Sequence, residues 1–267
     1  MKQRMPFDFL FMLGSLLLSV ILVHAVYTAV IRPAAEETRQ AWVARWAEEP
    51  TFAPKPDLAV ILHDQEPEAC FILALWAGFI LGYRWRLLRR ERALLAMDFV
   101  GLGAGDVIFP EDATSYTRTL EQLSPADQKR FLPRTLKMVL NRFGATHSVQ
   151  HAASASRDEC EFEAARLDAE LSLIRFSVWA IPAVGFVGTV RGIGAALQQA
   201  QRAAAGDVTG VTQGLGITFN ATLVALSLCI VVMFFLHQLQ LLQDRLVLDT
   251  KLYVDDTLIR HLREHRS

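Results

Sequence analysis

From Val211 to Leu236 the chain runs twenty-six residues without a single acid or base. A bilayer core is about 30 Å thick and a helix needs roughly 20 apolar residues to cross it, so this run spans with room for tilt. Three further apolar runs accompany it. Phe7–Ile31 is interrupted only by Asp8 near its start and His24 near its end. Cys70–Tyr83 spans if Glu66–Ala69 and Arg84 lie at the two interfaces, and Phe176–Val190 continues through Arg191 to Leu197. The composition agrees, since 52% hydrophobic residues and a mean hydropathy of +0.26 are too apolar for an ordinary soluble chain of 267 residues. The expected class is an all-α polytopic membrane protein with four transmembrane helices.

The same arithmetic excludes other classes. A net charge of −1 leaves no general positive field to hold phosphates, so no nucleic-acid partner is expected. Three cysteines are too few for a disulfide scaffold, and no two have metal-ligand spacing. No metal and no cofactor is implied. Ser and Asp residues abound, but nothing pairs a nucleophile with a base, so no catalytic set and no enzyme is expected. His147 and His151 are four apart, a zinc-compatible spacing, yet a third ligand is missing and a solvated helix face is the plainer reading. Gly101, Gly103 and Gly105 form a GLGAG loop that lacks the Lys-Ser/Thr of a phosphate cradle and reads as a turn.

Orientation follows from the cations. Lys2 and Arg4 precede the first run, which reads as an uncleaved span because its apolar stretch exceeds a usual signal core. Arg84, Arg86, Arg89, Arg90 and Arg92 crowd the exit of the second, whereas segment 32–66 and its edge carry Glu36, Glu37, Glu48, Glu49, Asp57, Asp64, Glu66 and Glu68. Both termini are therefore expected in the cytoplasm. The layout is a first span over 7–31, an outer segment over 32–66, and a second span over 67–83. A helical cytoplasmic domain over 84–174, a two-helix hairpin over 175–241 and a cytoplasmic C-terminal helix over 242–267 complete it. Outside the membrane, Ala34–Glu48 and Leu58–His63 read as short helices separated by Pro50, Pro54 and Pro56. Trp42 and Trp46, one turn apart, suit the membrane interface. Ser124-Pro125 followed by Asp127 reads as a helix start. Leu132, Leu136, Val139, Leu140 and Phe143 recur at helical spacing, and a charged helix from Ser148 is expected to run unbroken into the third span.

The hairpin differs from the first two spans. Gly185, Thr189, Gly192 and Ala196 fall at helical offsets of four, seven and eleven, making one small, weakly polar face, and Pro182 is expected to kink the helix. In the last span Gly214, Thr218, Thr222, Ala225 and Cys229 share one face, while Phe219, Leu223, Leu226, Ile230 and Phe234 share another suited to lipid or a further helix. Small faces of this kind serve close packing, or they wall a polar seam at membrane depth. An outer turn near 203–210 joins the two helices.

Read as motifs, IPAVGFVGTVRGIGAAL (181–197) and GITFNATLVALSL (216–228) resemble the two pore helices of the MotA/TolQ/ExbB proton-channel family, over about residues 175–241. The four-span layout and Pro182 are similar to the MotA branch. Ala225 stands where a Gly is common, and no carboxylate occupies the small faces. The resemblance implies a channel-wall subunit in a bacterial inner membrane, with five copies around two copies of a single-span partner carrying a membrane Asp and an outer domain. Such a complex converts ion-motive force into mechanical work. Thr189, Thr222, Thr218, Gly185, Gly192 and Ala225 would line the path. Arg191 lies about 200° around the helix from Thr189 and reaches either lipid headgroups or a neighbouring subunit. The competing function is an oligomeric scaffold or sensor that signals through its cytoplasmic domain without conducting ions.

Overall fold

The computed structural model describes residues 5–49, 52, 55, 57–103, 105–199 and 209–264, with backbone alone for 5–7 and 209–217. Among these residues no strand forms, apart from one isolated bridge between Ile108 and Leu262. The expected outer turn near 203–210 lies outside the described residues up to 208, and so do the surroundings of Gly214. The helices are α1 (Met5–Val26), α2 (Arg32–Glu48), α3 (Leu58–Leu62), α4 (Gln65–Leu94), α5 (Ala113–Glu121), α6 (Phe131–Thr146), α7 (Val149–Ala169), α8 (Ser172–Leu197) and α9 (Thr209–Thr257). Four helical stretches are long and apolar enough to cross a membrane: Asp8–Glu48, Gln65–Leu94, Val149–Leu197 and Thr218–His261.

The chain divides into two compact units, Met1–Gly82 with Leu173–Leu236, and Tyr83–Ser172 with His237–Ser267. In the first unit, α1 is apolar all round and largely uncovered. Leu10, Leu13, Leu17 and Ile21 are exposed, and only Ser15, Ser19, Val23 and Tyr27, four residues apart, are buried. A helix with so narrow a covered stripe and so apolar a remainder has its solvent in lipid. Ser19 donates to the Ser15 carbonyl at 2.8 Å, and Trp76 of α4 donates its indole N–H to the Met12 carbonyl at 3.0 Å. The first span passes through a wide π turn, Tyr27–Ile31, which leads directly into α2. Its cause is Pro33, whose missing N–H and ring disturb the ladder one turn back. On α2, Trp42 and Trp46 pack edge to face, and Trp46 donates to the Phe52 carbonyl at 2.8 Å.

The second unit has a conventional core. Leu132, Leu136, Val139, Leu140 and Phe143 of α6 are buried against Ile108, Val254, Leu258 and Leu262. Leu262 brings the chain's end beside Ile108, where Arg263 N–H donates to the Ile108 carbonyl at 3.1 Å. Three expectations are corrected here. Ser124-Pro125 opens a turn, with Asp127 N–H donating to Ser124 Oγ at 3.1 Å, and the helix begins only at Phe131. Pro133 sets that start, because it fits only in a first turn, where its missing N–H has no partner to lose. The helix from 148 does not run unbroken into the third span: a turn at Glu170 and Leu171 separates α7 from α8, and it lets the Glu170 carboxylate accept from Arg84 at 2.7 Å. His147 takes a left-handed conformation (φ 54°) at the end of α6, so it shares no helix face with His151. In the described part of the GLGAG loop, Asp98 accepts from Gly101 N–H at 2.9 Å and Asp106 from Gly103 N–H at 2.7 Å, so carboxylates already take these two donors.

The fastening between α6 and α7 is ionic. Arg134 donates to Glu159 and to Glu163, at 2.5 and 2.8 Å, and both carboxylates are buried. Burial opposes the guanidinium charge, but the two carboxylates outweigh it and hold Arg134 above its ordinary value. Glu163 also meets Arg166 at 2.8 Å. Arg134→Leu therefore strands the Glu159 charge. It should cost about 3 kcal/mol of unfolding free energy for the detergent-solubilised protein, and Arg134→Leu/Glu159→Leu should recover part of that loss in the same denaturant titration.

Candidate functional site between helices α8 and α9

The small face of α8 meets the small face of α9 in antiparallel register: Gly185 stands against Ala225, Gly188 against Ala221, and Gly192 against Thr218. A methyl group on any of the three glycines would overlap its partner; for Gly188 the added carbon would lie 2.7 Å from the Ala221 Cβ. In lipid there is little hydrophobic force between helices, so close backbone approach and interhelical hydrogen bonds carry the association. Gly185, Thr218, Ala225 and Cys229 are buried in this seam, and Ala196 is buried further along α8. The opposite stripe of α9, Phe219, Leu223, Leu226, Ile230 and Phe234, is exposed along its length.

Thr189 and Thr222 come together here. Their hydroxyls bond to each other, and both are half-buried. Thr222 also donates to the Gly185 carbonyl at 3.0 Å, and Thr189 lies 3.4 Å from the same oxygen. Gly185, Gly192, Thr218 and Ala225 thus make the contact between the helices, and half-buried Thr189 and Thr222 bond to each other within it.

Pro182 lies inside α8, which continues through it. Having no N–H, it leaves the Val178 carbonyl one turn earlier without its helical donor. Cys229 Sγ of α9 takes that carbonyl at 3.3 Å. Cys70 Sγ of α4 makes a similar contact with the Ile181 carbonyl at 3.5 Å. Neither role was visible in the spacing of the cysteines.

Arg191 meets acids within its own chain. Its guanidinium donates to Glu66 at 2.7 Å, in the first turn of α4, and lies 3.9 Å from Asp64. Sequence pattern alone does not connect this pair: Asp64, Glu66 and Glu68 all precede the apolar run from Cys70, and none of them is marked as the partner of Arg191. Glu68, two residues on, accepts from Arg32 at 2.6 Å and meets His24 Nδ1 at 2.7 Å.

The comparisons bear on this seam. Residues 126–251 match the model of the MotA/TolQ/ExbB proton channel family. The matched segment includes α6, α7, α8 and most of α9, and so holds both motif stretches and every residue of the seam. Its implication is a proton-channel subunit of the MotA/TolQ/ExbB type in a multi-pass membrane protein. No curated protein and no solved structure matches the chain.

The register yields a sharp contrast. Gly185→Val should destroy the seam, destabilising the protein by about 2 kcal/mol or more through overpacking. Gly194→Ala, at a position with open space around its Cα, should be neutral. Thermal unfolding in detergent, followed by size-exclusion chromatography, reads both.

Proposed function

We propose that this chain is the channel-wall subunit of a bacterial inner-membrane proton channel complex that turns ion-motive force into mechanical work through a single-span partner. Five copies surround two partner helices, both termini of this chain face the cytoplasm, and the long ends of α4, α7 and α9 extend into it. The observation that carries this reading is the Thr189–Thr222 pair at membrane depth inside the segment that matches the family.

The chemistry of that pair suits a cation. Both hydroxyls lie within reach of the Gly185 carbonyl and of each other, and each oxygen keeps lone-pair capacity beyond the one bond the pair shares. Hydroxyl oxygens of this kind replace part of an ion's hydration shell. A proton path through lipid also needs a group that binds and releases the proton. Phe176–Val190 and Val211–Leu236 contain no Asp, Glu or His. The titrating carboxylate is therefore supplied by the partner, and Thr189 and Thr222 line the cavity beside it, with Thr218, Gly185, Gly192 and Ala225 setting the wall's shape.

Two outcomes test the reading. Purified alone in proton-tight vesicles, this chain should pass no protons above the background of empty vesicles. Thr222→Val keeps the side chain's shape and removes its hydroxyl, so the assembled complex should form at normal yield yet lose at least tenfold in proton flux. Full flux in the Thr222→Val complex would move the pair from the ion path to mere packing.

A further inference from the structure

Near Arg191 the seam opens into a cavity of about 340 Å³. Gly192 and Thr218 form one side, and Asp64, Glu66 and Arg191 bring charge to the other. Two carboxylates against one guanidinium leave this mouth with a net negative charge. Glu66 is nearly covered, with 10% of its side chain exposed, whereas 54% of the Arg191 side chain is open. Asp64 is also partly open, and His63 stands 3.7 Å from it. Glu68 adds nothing to the balance, being held by Arg32.

We propose that this charge balance sets how readily cations enter the path, with Asp64 and Glu66 drawing them in and Arg191 holding them back. The proposal rests on the channel reading above. Its physical basis is that a half-exposed ion pair contributes little to stability, while charges lining a cleft with low-dielectric walls focus a field that raises or lowers the local cation concentration. Glu66 has a double task in this arrangement. It cancels most of the Arg191 field and fixes the guanidinium against the start of α4, so that the remaining negative charge of Asp64 prevails.

A fastening and a field predict opposite patterns. If the pair only ties α4 to α8, losing either partner harms the channel. If it sets the field, the two losses act in opposite directions. The test uses the native complex, isolated through a tag on this chain and reconstituted in vesicles, with proton and sodium flux driven by a potassium diffusion potential. At low salt, Arg191→Gln should raise cation flux about threefold, and Glu66→Gln should lower it about threefold. Glu66→Arg/Arg191→Glu, which keeps both pair and net charge, should return to the wild-type rate. All three effects should shrink at half-molar salt, where charges are screened. Asp64→Asn, outside the close pair, should lower flux even if a variant at Glu66 or Arg191 fails to assemble. Equal losses in Arg191→Gln and Glu66→Gln, or no change in Asp64→Asn, would overturn the proposal. A wild-type complex that passes neither ion would instead overturn the channel reading on which it rests.

Discussion

Three carbonyl oxygens of α8, those of Val178, Ile181 and Gly185, accept from side chains of other helices: Cys229, Cys70 and Thr222. They are spaced three and four residues apart and so lie on one face. In a bilayer an unsatisfied backbone group costs several kcal/mol, which is why a proline inside a spanning helix needs a neighbour to serve the carbonyl it releases. Pro182 imposes that need at Val178, and α9 must come close enough for a thiol to meet it. Closeness in turn requires glycine at 185, 188 and 192. The proline, the glycines and the short polar side chains of α9 are thus one requirement expressed at several positions.

The same closeness explains why the threonines are where they are. Thr222 could satisfy its hydroxyl within α9, as Ser227 does by donating to the Leu223 carbonyl at 2.8 Å. It reaches across to α8 instead, and Thr189 reaches back. The result is a pair of half-buried hydroxyls held together by bonds across the seam. Packing and the proposed lining are therefore compatible descriptions of the small faces. The glycines and alanines supply the contact, and the contact orients the hydroxyls.

Much of this was legible from the chain alone, and the failures have a common cause. Apolar length determined the four candidate spans, and helical offsets sorted α9 into a covered small stripe and an exposed stripe of Phe219, Leu223, Leu226, Ile230 and Phe234. Periodicity also found the buried face of α6. What periodicity could not find were the places where one residue interrupts a pattern for a partner far away in sequence. Glu170 ends α7 beside Arg84, Pro133 delays α6, and Pro33 widens the turn after α1. Arg191 shows the limit best. Its angle around α8 was computable, but its partner Glu66 is 125 residues distant, and nothing local connects them.

The acids beside the apolar helices carry the argument one step further. Glu66 is matched by Arg191, Glu68 by Arg32 and His24, and Glu170 by Arg84. Each of these carboxylates faces a cation of its own chain. A chain that pairs these bordering acids while keeping Phe176–Val190 and Val211–Leu236 free of Asp, Glu and His fits the proposed role of a wall, in which the titrating acid comes from another polypeptide.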